Sequence, residues 1–145
     1  KLQGKVGVCY GLGLEAGLVA NRWRCQFNEN AKYLLFDNAF PELCHNEIMG
    51  WVAADRQADR YAGVILTFGD ESERMKTRAQ VTARVISDKV EFTTIPARGE
   101  SNLEKLLSLT YIGDWISLYV ARLNGVDPVE IANIDTLKEE LAKLD

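Results

Sequence analysis

The sequence has few of the residues from which metal centres, disulfide frameworks and nucleic-acid surfaces are built. It contains one histidine, three cysteines and three prolines among 145 residues, and its net charge is −4. The odd number and wide spacing of Cys9, Cys25 and Cys44 fit neither a disulfide framework nor a zinc site, so we expect a reduced, cytoplasmic protein. A net negative chain lacks the basic face that a nucleic acid or an anionic membrane requires. We therefore expect no metal ion, no redox cofactor and no nucleic-acid partner.

The sequence also lacks an apolar segment of the kind that enters a membrane. No apolar run approaches the roughly 18 residues that span a bilayer, and we find no signal peptide. With 47% hydrophobic residues, a chain of this length suits one compact domain and is too short for two of ordinary size. Lys1 is not a methionine and directly precedes a predicted strand, so we expect the chain to be a piece of a longer polypeptide.

Apolar runs recur at regular intervals, and a helical stretch follows each of them. The runs are continuous rather than alternating, which is typical of parallel strands that helices cover on both faces. We therefore predict an α/β fold, namely a three-layer α/β/α sandwich with a parallel sheet of at least four strands. The predicted strands are residues 5–10, 33–36, 61–68 and 90–96. The predicted helices are residues 14–28, 41–59 and 73–87, a long apolar helix between Ser101 and Gly125, and a short amphipathic helix in the tail.

Ligands of such sheets bind at the carboxyl ends of the strands, so we expect the site at that edge. Four segments would line it, at residues 11–13, 37–38, 68–70 and 97–99. The first of them, Gly11-Leu12-Gly13, together with Gly17 also resembles part of a dinucleotide-binding fingerprint. Because the spacing departs from that fingerprint, we favour a tight strand-to-helix turn and keep a nucleotide-binding domain as the weaker alternative.

Asn28, Glu29 and Asn30 form the first of two clusters that pair carboxylates with amides. Glu29 lies off the core-facing stripe of its predicted helix and near the helix end, where a carboxylate is usually solvated. The two asparagines are poor helix formers, and their amides suit the hydroxyl groups of a sugar. The position alone favours a solvated carboxylate, whereas the neighbours keep a functional one open.

His45, Asn46 and Glu47 form the second cluster, which holds the only histidine. Helical spacing puts His45 on the apolar side of its predicted helix, and this alone favours a histidine packed in the core. Its flanking amide and carboxylate, and its place just after a strand-end loop, favour a group that transfers protons.

The two clusters belong to longer runs that resemble a known family. Residues 26–32 (QFNENAK), 40–48 (FPELCHNEI) and 50–51 (GW) are similar to the C-terminal half of the bifunctional phosphoglucose/phosphomannose isomerases, which belong to the sugar isomerase (SIS) domain superfamily. Later segments at residues 114–119 (DWISLY), 123–128 (LNGVDP) and 134–138 (IDTLK) are similar to the closing helix and tail of that family. The resemblance spans nearly the whole chain. It implies a single flavodoxin-like SIS domain over residues 1–145, separated from the family's N-terminal SIS domain.

The resemblance implies interconversion of glucose 6-phosphate or mannose 6-phosphate with fructose 6-phosphate through a cis-enediolate. Glu29 would be the base that moves a proton between C1 and C2, with a pKa raised by partial burial beside Phe27. His45 would assist ring opening across the interface of a homodimer, in the site of the neighbouring subunit. Lys138 would supply a positive charge near the substrate. The substrate-binding residues that we expect are Asn28, Asn30 and Asn46.

Two departures from the family pattern bear on these expectations. Cys44 stands where an asparagine is expected in the segment around His45. The Ser/Thr-rich loop that binds phosphate in the family's preceding SIS domain has no counterpart in this chain, so we expect half of an active site here. The alternative is a sugar-phosphate-binding SIS module without catalysis, used for regulation or assembly. The presence of both Glu29 and His45 favours the enzyme, because binding alone needs neither a base nor a ring-opening acid.

Overall fold

Four parallel strands form the sheet at the centre of the fold. In the computed structural model, which describes residues 2–56 and 60–144, the strands are β1 (Val6–Leu12), β2 (Leu35–Phe40), β3 (Tyr61–Thr67) and β4 (Phe92–Pro96). They follow the order β2-β1-β3-β4, and all neighbouring pairs are parallel. The two central strands, β1 and β3, are buried along most of their length. The predicted α/β fold with at least four parallel strands is confirmed.

Helices cover both faces of the sheet. Successive residues of a strand point to opposite faces, and the buried side chains of the central strands pack against helices on each side. The α-helices of the described residues are α1 (Gly13–Ala31), α2 (Glu47–Gly50), α3 (Glu73–Val85), α4 (Asn102–Asn124) and α5 (Ala132–Leu141). Cys9 of β1 belongs to a first core cluster with α1 and α4, whereas its neighbour Tyr10 belongs to a second cluster with α3 and the segment after β2. Within residues 2–56 and 60–144, no helix is both long and apolar enough to cross a membrane.

The core-facing stripe predicted for α1 is confirmed. Its five members are at most 2% exposed, namely Ala16, Val19, Ala20, Trp23 and Phe27. The start of the helix fits the tight turn favoured from the sequence, because a Cβ at Gly11 would overlap the backbone of Ala16 and Gly17. A side chain at this position would therefore push α1 away from β1.

The segment after β2 is not the single helix predicted for residues 41–59. It contains a 3-10 turn at Glu42–Cys44, the short helix α2 and a second 3-10 helix at Trp51–Arg56, while residues 57–59 lie outside the described residues. Asn46 interrupts the helix, since its backbone (φ −135°, ψ −65°) is not helical and its Oδ1 accepts a hydrogen bond from the Glu47 amide at 2.6 Å. Asparagine side chains compete with helical hydrogen bonding in this way.

Three of the four segments predicted for the carboxyl edge, residues 11–13, 68–70 and 97–99, end or follow a strand. The fourth prediction was wrong, because Asp37 and Asn38 lie inside β2. This strand continues to Phe40, where it still pairs with Leu12 of β1. The carboxyl edge therefore begins after Phe40 on this side of the sheet.

A close contact between α1 and α4 forms the middle of the first core cluster. The indole N–H of Trp23 donates to the carbonyl of Leu109 at 2.8 Å, and Gln26 Nε2 donates to Asp114 Oδ1 at 2.9 Å. The ring of Trp23 lies directly over Gly113, where a Cβ would come within 2.5 Å of the ring carbons Cδ1 and Cε2. Only glycine leaves room for the tryptophan at this crossing.

The opposite face of α4 is apolar and exposed. Leu107, Tyr111, Trp115 and Tyr119 recur at every fourth position, and 47% of Trp115 is exposed. The rings of Tyr111 and Tyr119 each lie 6.2 Å from the ring of Trp115. A contiguous row of exposed apolar side chains is typical of a surface that another part of a protein covers.

Asn28 joins the end of α1 to the start of β2. Its Oδ1 accepts a hydrogen bond from the Leu35 amide at 3.1 Å, and its Nδ2 donates to the Leu35 carbonyl at 3.3 Å. Between them, Lys32 closes the helix in the left-handed conformation (φ 48°), and the Tyr33 amide donates to the Phe27 carbonyl at 3.2 Å. The Asn28 amide thus pairs with both polar backbone groups of Leu35.

We predict that Gly113→Ala lowers the free energy of unfolding by about 1–3 kcal/mol, the usual cost of extra volume in a packed core. Urea unfolding measures this change. Gly50→Ala is the matched control, because a Cβ at Gly50 would meet no atom within 4 Å. Equal midpoints for the two variants would contradict the contact between Gly113 and Trp23.

We predict that Asn28→Ala lowers the free energy of unfolding by about 1–2 kcal/mol, because the polar backbone groups of Leu35 lose their partner in a partly buried place. The same urea experiment measures it. Asn133→Ala changes an exposed asparagine of α5. Its free energy of unfolding should stay within about 0.5 kcal/mol of the parent value. A parent-like midpoint for Asn28→Ala would show that the turn does not depend on this side chain.

Candidate functional site

The predicted site residues lie at opposite edges of the sheet. Because α1 follows β1 and leads to a parallel strand, it runs back to the amino edge, and Glu29 in its last turn lies there. His45 follows the end of β2 and therefore lies at the carboxyl edge. The length of β2 separates the two residues, so one copy of this domain does not bring Glu29 and His45 together.

Glu29 borders a small cavity at the amino edge. The cavity has a volume of about 200 Å³ and is formed by the end of α1 and the segment that leads into α5. Lys32 joins these two parts, since its Nζ donates to the carbonyls of Glu29 at 2.9 Å and Glu130 at 2.5 Å. The Glu29 side chain is exposed, which differs from the partial burial that we expected. The reason is its place off the buried stripe of α1.

The two asparagines beside Glu29 take part in the local structure. Asn28 is engaged with the Leu35 backbone, as described above, and Asn30 Nδ2 donates to Ser117 Oγ of α4 at 2.9 Å. These contacts fix the last turn of α1 against its neighbours. Substrate binding by Asn28 and Asn30 stays a prediction.

Lys138 lies on α5, one helical turn beyond Ile134, which lines the cavity beside Glu29. Its side chain is exposed, and its Nζ is 3.9 Å from Oδ1 of Asp135. The structure thus brings the start of α5 to Glu29 and leaves Lys138 just outside the cavity. Its predicted role near the substrate is untested.

His45 is exposed and is not a packed core histidine. Its backbone N–H donates to the Glu42 carbonyl at 2.9 Å, whereas its imidazole makes no hydrogen bond with any residue in the described ranges. The prediction that His45 lies on the apolar side of a helix was wrong, because the helix is broken at Asn46. Leu43, which is 1% exposed, enters the core in its place.

Asn46 and Cys44 flank His45 and face different surroundings. Asn46 is exposed, caps α2, and donates through Nδ2 to Glu42 Oε1 at 2.9 Å. Cys44 Sγ lies 3.7 Å from Thr82 Oγ1 of α3. The cysteine that departs from the family pattern therefore contacts the helix layer, and the role of Asn46 toward a substrate stays a prediction.

Glu47 has a structural environment that the sequence analysis did not identify. Its carboxylate accepts hydrogen bonds from the Tyr10 hydroxyl and from Asn38 Nδ2, the latter at 2.6 Å. Trp51 Nε1 in turn donates to the Tyr10 oxygen at 3.0 Å. Burial, and then the hydrogen bond to Glu47, raise the pKa of Tyr10 far above its ordinary value. The run HNEI contained Glu47, but its partners come from two distant strands.

The described residues contain no cluster of three or more histidine, cysteine or acidic side chains placed to hold a metal ion. Cys9 is buried, Cys25 is exposed and Cys44 is intermediate, and all three are free thiols.

Known proteins resemble this chain in sequence and in fold. The chain is 33% identical to a bifunctional phosphoglucose/phosphomannose isomerase of Aquifex aeolicus, over 99% of this chain and 44% of that protein. It is 38% identical to a protein of the same name from Thermoplasma volcanium, over 86% of this chain and 39% of that protein. It thus spans less than half the length of these curated relatives.

A solved structure shares the fold. The crystal structure of a glucose-6-phosphate isomerase like protein from Thermus thermophilus superposes with a TM-score of 0.71 and 22% sequence identity, over 90% of this chain and 43% of that chain. The family described as the bacterial phospho-glucose isomerase C-terminal SIS domain matches residues 1–141. This match covers nearly the whole sequence, and the chain therefore belongs to the bacterial phospho-glucose isomerase C-terminal SIS domain family.

Proposed function

We propose that this chain is the C-terminal half of an aldose-ketose isomerase that interconverts glucose 6-phosphate or mannose 6-phosphate with fructose 6-phosphate. The proposal rests on the position of Glu29 in a chain that belongs to this family. The carboxylate is exposed at the rim of a cavity that the segment before α5 helps to form. A base that acts on a sugar must be open to its substrate in this way.

Glu29 takes the proton from C2 of the open-chain aldose in this proposal. The electron pair of the broken C–H bond forms the C1–C2 double bond of a cis-enediolate, and the carbonyl oxygen at C1 takes up the negative charge. Return of the proton to C1 and transfer of the hydroxyl proton from O2 to O1 give the ketose. Lys138 stabilises the charge of the enediolate from α5. Because C2 is planar in the enediolate, glucose and mannose phosphates share one intermediate.

His45 serves the ring-opening step in this proposal. An imidazole can both bind and release a proton, so it can give one to the ring oxygen while the hydroxyl at C1 loses one. His45 and Glu29 of one domain lie at opposite edges of the sheet. The site is therefore built in a homodimer, in which each subunit supplies its histidine to the glutamate of its partner.

The phosphate group of the substrate is bound outside this chain in our proposal. The chain spans 38–44% of the length of the four relatives compared with it, and the family description places it at the carboxyl-terminal side. A preceding SIS domain then holds the phosphate and completes a cytoplasmic enzyme.

We predict that Glu29→Gln in the complete enzyme lowers kcat by about 10²–10⁴-fold, the usual contribution of a positioned general base. Calorimetry should show a dissociation constant for the sugar phosphate close to that of the parent, because the side chain keeps its size. Exchange of the C2 hydrogen of the substrate with deuterated water should be lost together with turnover.

Glu130→Gln is the control for this variant, because it changes another carboxylate at the same cavity. We expect near-normal turnover from it. Parent-like turnover by Glu29→Gln would contradict the assignment of the base. Binding without turnover by the unmodified enzyme would instead favour the non-catalytic module.

We predict that His45→Ala slows turnover of cyclic substrates more than turnover of a pre-opened analogue. Co-expression of Glu29→Gln and His45→Ala subunits should restore about one quarter of the parent activity, because half of randomly formed dimers are mixed and each has one intact site of two. Equal losses on both substrates would contradict the ring-opening role. Failure of the mixed subunits to restore activity would contradict the shared site.

A further inference from the structure

Glu47 connects the segment that carries His45 to the central sheet. Tyr10 of β1 and Asn38 of β2 are directly paired in register, so their side chains leave the same face of the sheet side by side. The Tyr10 hydroxyl donates to Oε1 of Glu47, and Asn38 Nδ2 donates to Oε2 at 2.6 Å. Both carboxylate oxygens of Glu47 are thus held by the sheet.

The same network reaches the far end of α2. The Tyr10 oxygen accepts the indole N–H of Trp51 at 3.0 Å, and the ring of Trp51 lies edge-on to Tyr61 of β3 with centroids 5.1 Å apart. Tyr10 is 1% exposed and Trp51 is 7% exposed. The hydrogen bond between Trp51 and Tyr10 is therefore buried, and the beginning and the end of α2 are fixed to the same tyrosine.

His45 lies between two anchors of this kind. Leu43 on its amino side is buried in the second core cluster, and Glu47 on its carboxyl side is bound to the sheet. The Asn46 Oδ1 also accepts a hydrogen bond from the Glu47 backbone N–H, so the backbone directly after His45 is held as well. Because the imidazole of His45 has no hydrogen-bond partner in the described ranges, the place of its ring depends on the backbone that carries it.

We propose that Glu47 is the positioning residue for His45, and that its carboxylate, held by Tyr10 and Asn38, fixes the backbone from which His45 reaches the sugar ring. The inference rests on the proposed role of His45 in ring opening. Glu47 itself does not touch the substrate. It acts by holding the turn at Asn46 against the sheet.

The chemistry of the network explains why a carboxylate is needed. Two donors converge on Glu47, and an ionised carboxylate has an acceptor oxygen for each of them. A glutamine has one acceptor oxygen. If that oxygen accepts from Tyr10, the glutamine and Asn38 amide nitrogens, both donors, face each other. If it accepts from Asn38, the glutamine nitrogen can donate to the Tyr10 oxygen, which already accepts Trp51, but the hydroxyl hydrogen of Tyr10 then loses its acceptor. Hydrogen bonds to an ionised group are also stronger than neutral ones.

Hydrogen exchange of the 145-residue chain tests the structural half of the inference. We expect Glu47→Gln to speed amide exchange across residues 43–51 by about tenfold or more, which matches the loss of one hydrogen bond to a charged group. Exchange in α1 and α4 should not change. Glu42→Gln is the matched control, because Glu42 lies on the same segment and its carboxylate bonds to Asn46 instead of the sheet. Unchanged exchange in Glu47→Gln would overturn the inference.

Kinetics of the complete enzyme test the functional half. Glu47→Gln should lower kcat for cyclic substrates more than for a pre-opened analogue, as His45→Ala does, and should leave KM for the analogue unchanged. A purely structural loss would lower both activities alike. In a background of His45→Ala, Glu47→Gln should add no further loss on cyclic substrates, because groups that act as a unit are not additive. Additive losses would overturn the inference.

Tyr10→Phe is a second variant that keeps the test decisive if Glu47→Gln folds poorly. It removes one donor to Glu47 and keeps the ring that packs against Phe40 and Phe92. We expect the same preference for the pre-opened analogue. If His45→Ala itself shows no such preference, the proposed role of His45 fails and the inference fails with it. If His45→Ala shows the preference and neither Glu47→Gln nor Tyr10→Phe does, only the inference is overturned.

Discussion

A parallel sheet requires each connecting helix to run back to the edge where the next strand begins. In this protein that requirement sends α1 away from the carboxyl edge, and it puts Glu29 at the end of the helix on the amino side. The segment after β2 starts at the carboxyl side and carries His45. The separation of the two residues is therefore a property of the topology, and no side-chain movement within one domain would remove it.

The surroundings of Glu29 and His45 are stabilised by different sets of contacts. Around Glu29 the contacts are partly local, since Asn28 binds the backbone of Leu35, and partly long-range, since Lys32 reaches the Glu130 carbonyl and Asn30 reaches Ser117 of α4. Around His45 they are long-range, since Glu47 depends on side chains from two strands. In both places the side chain that we propose for catalysis is exposed, while its neighbours make the structural contacts. The proposed site thus follows a general pattern in which supporting residues fix the backbone beneath a reactive group.

The sequence predicted those parts of the fold that depend on one element at a time. The stripe of α1 follows helical periodicity, and the two central strands are continuous apolar runs, so these were recognised. The strand β2 was predicted only as far as Phe36, because Asp37 and Asn38 interrupt its apolar sequence. The helix over residues 41–59 was wrong, because one asparagine cap at Asn46 outweighs the apolar spacing around it. The family motif drew attention to Glu29 and His45. The partners of Glu47 could not be predicted, because the pairing of Tyr10 with Asn38 exists only after β1 and β2 have formed a sheet.

The three tryptophans lie in three different environments, and this gives the protein a set of built-in optical probes. Trp23 is 1% exposed in the first core cluster, Trp51 is 7% exposed in the second, and Trp115 is 47% exposed on α4. A water-soluble quencher therefore reaches Trp115 before the other two. The indole N–H of Trp51 donates to the same Tyr10 hydroxyl that binds Glu47, so this tryptophan is part of the hydrogen-bond network beside His45. It is the probe best placed to follow a rearrangement of that turn.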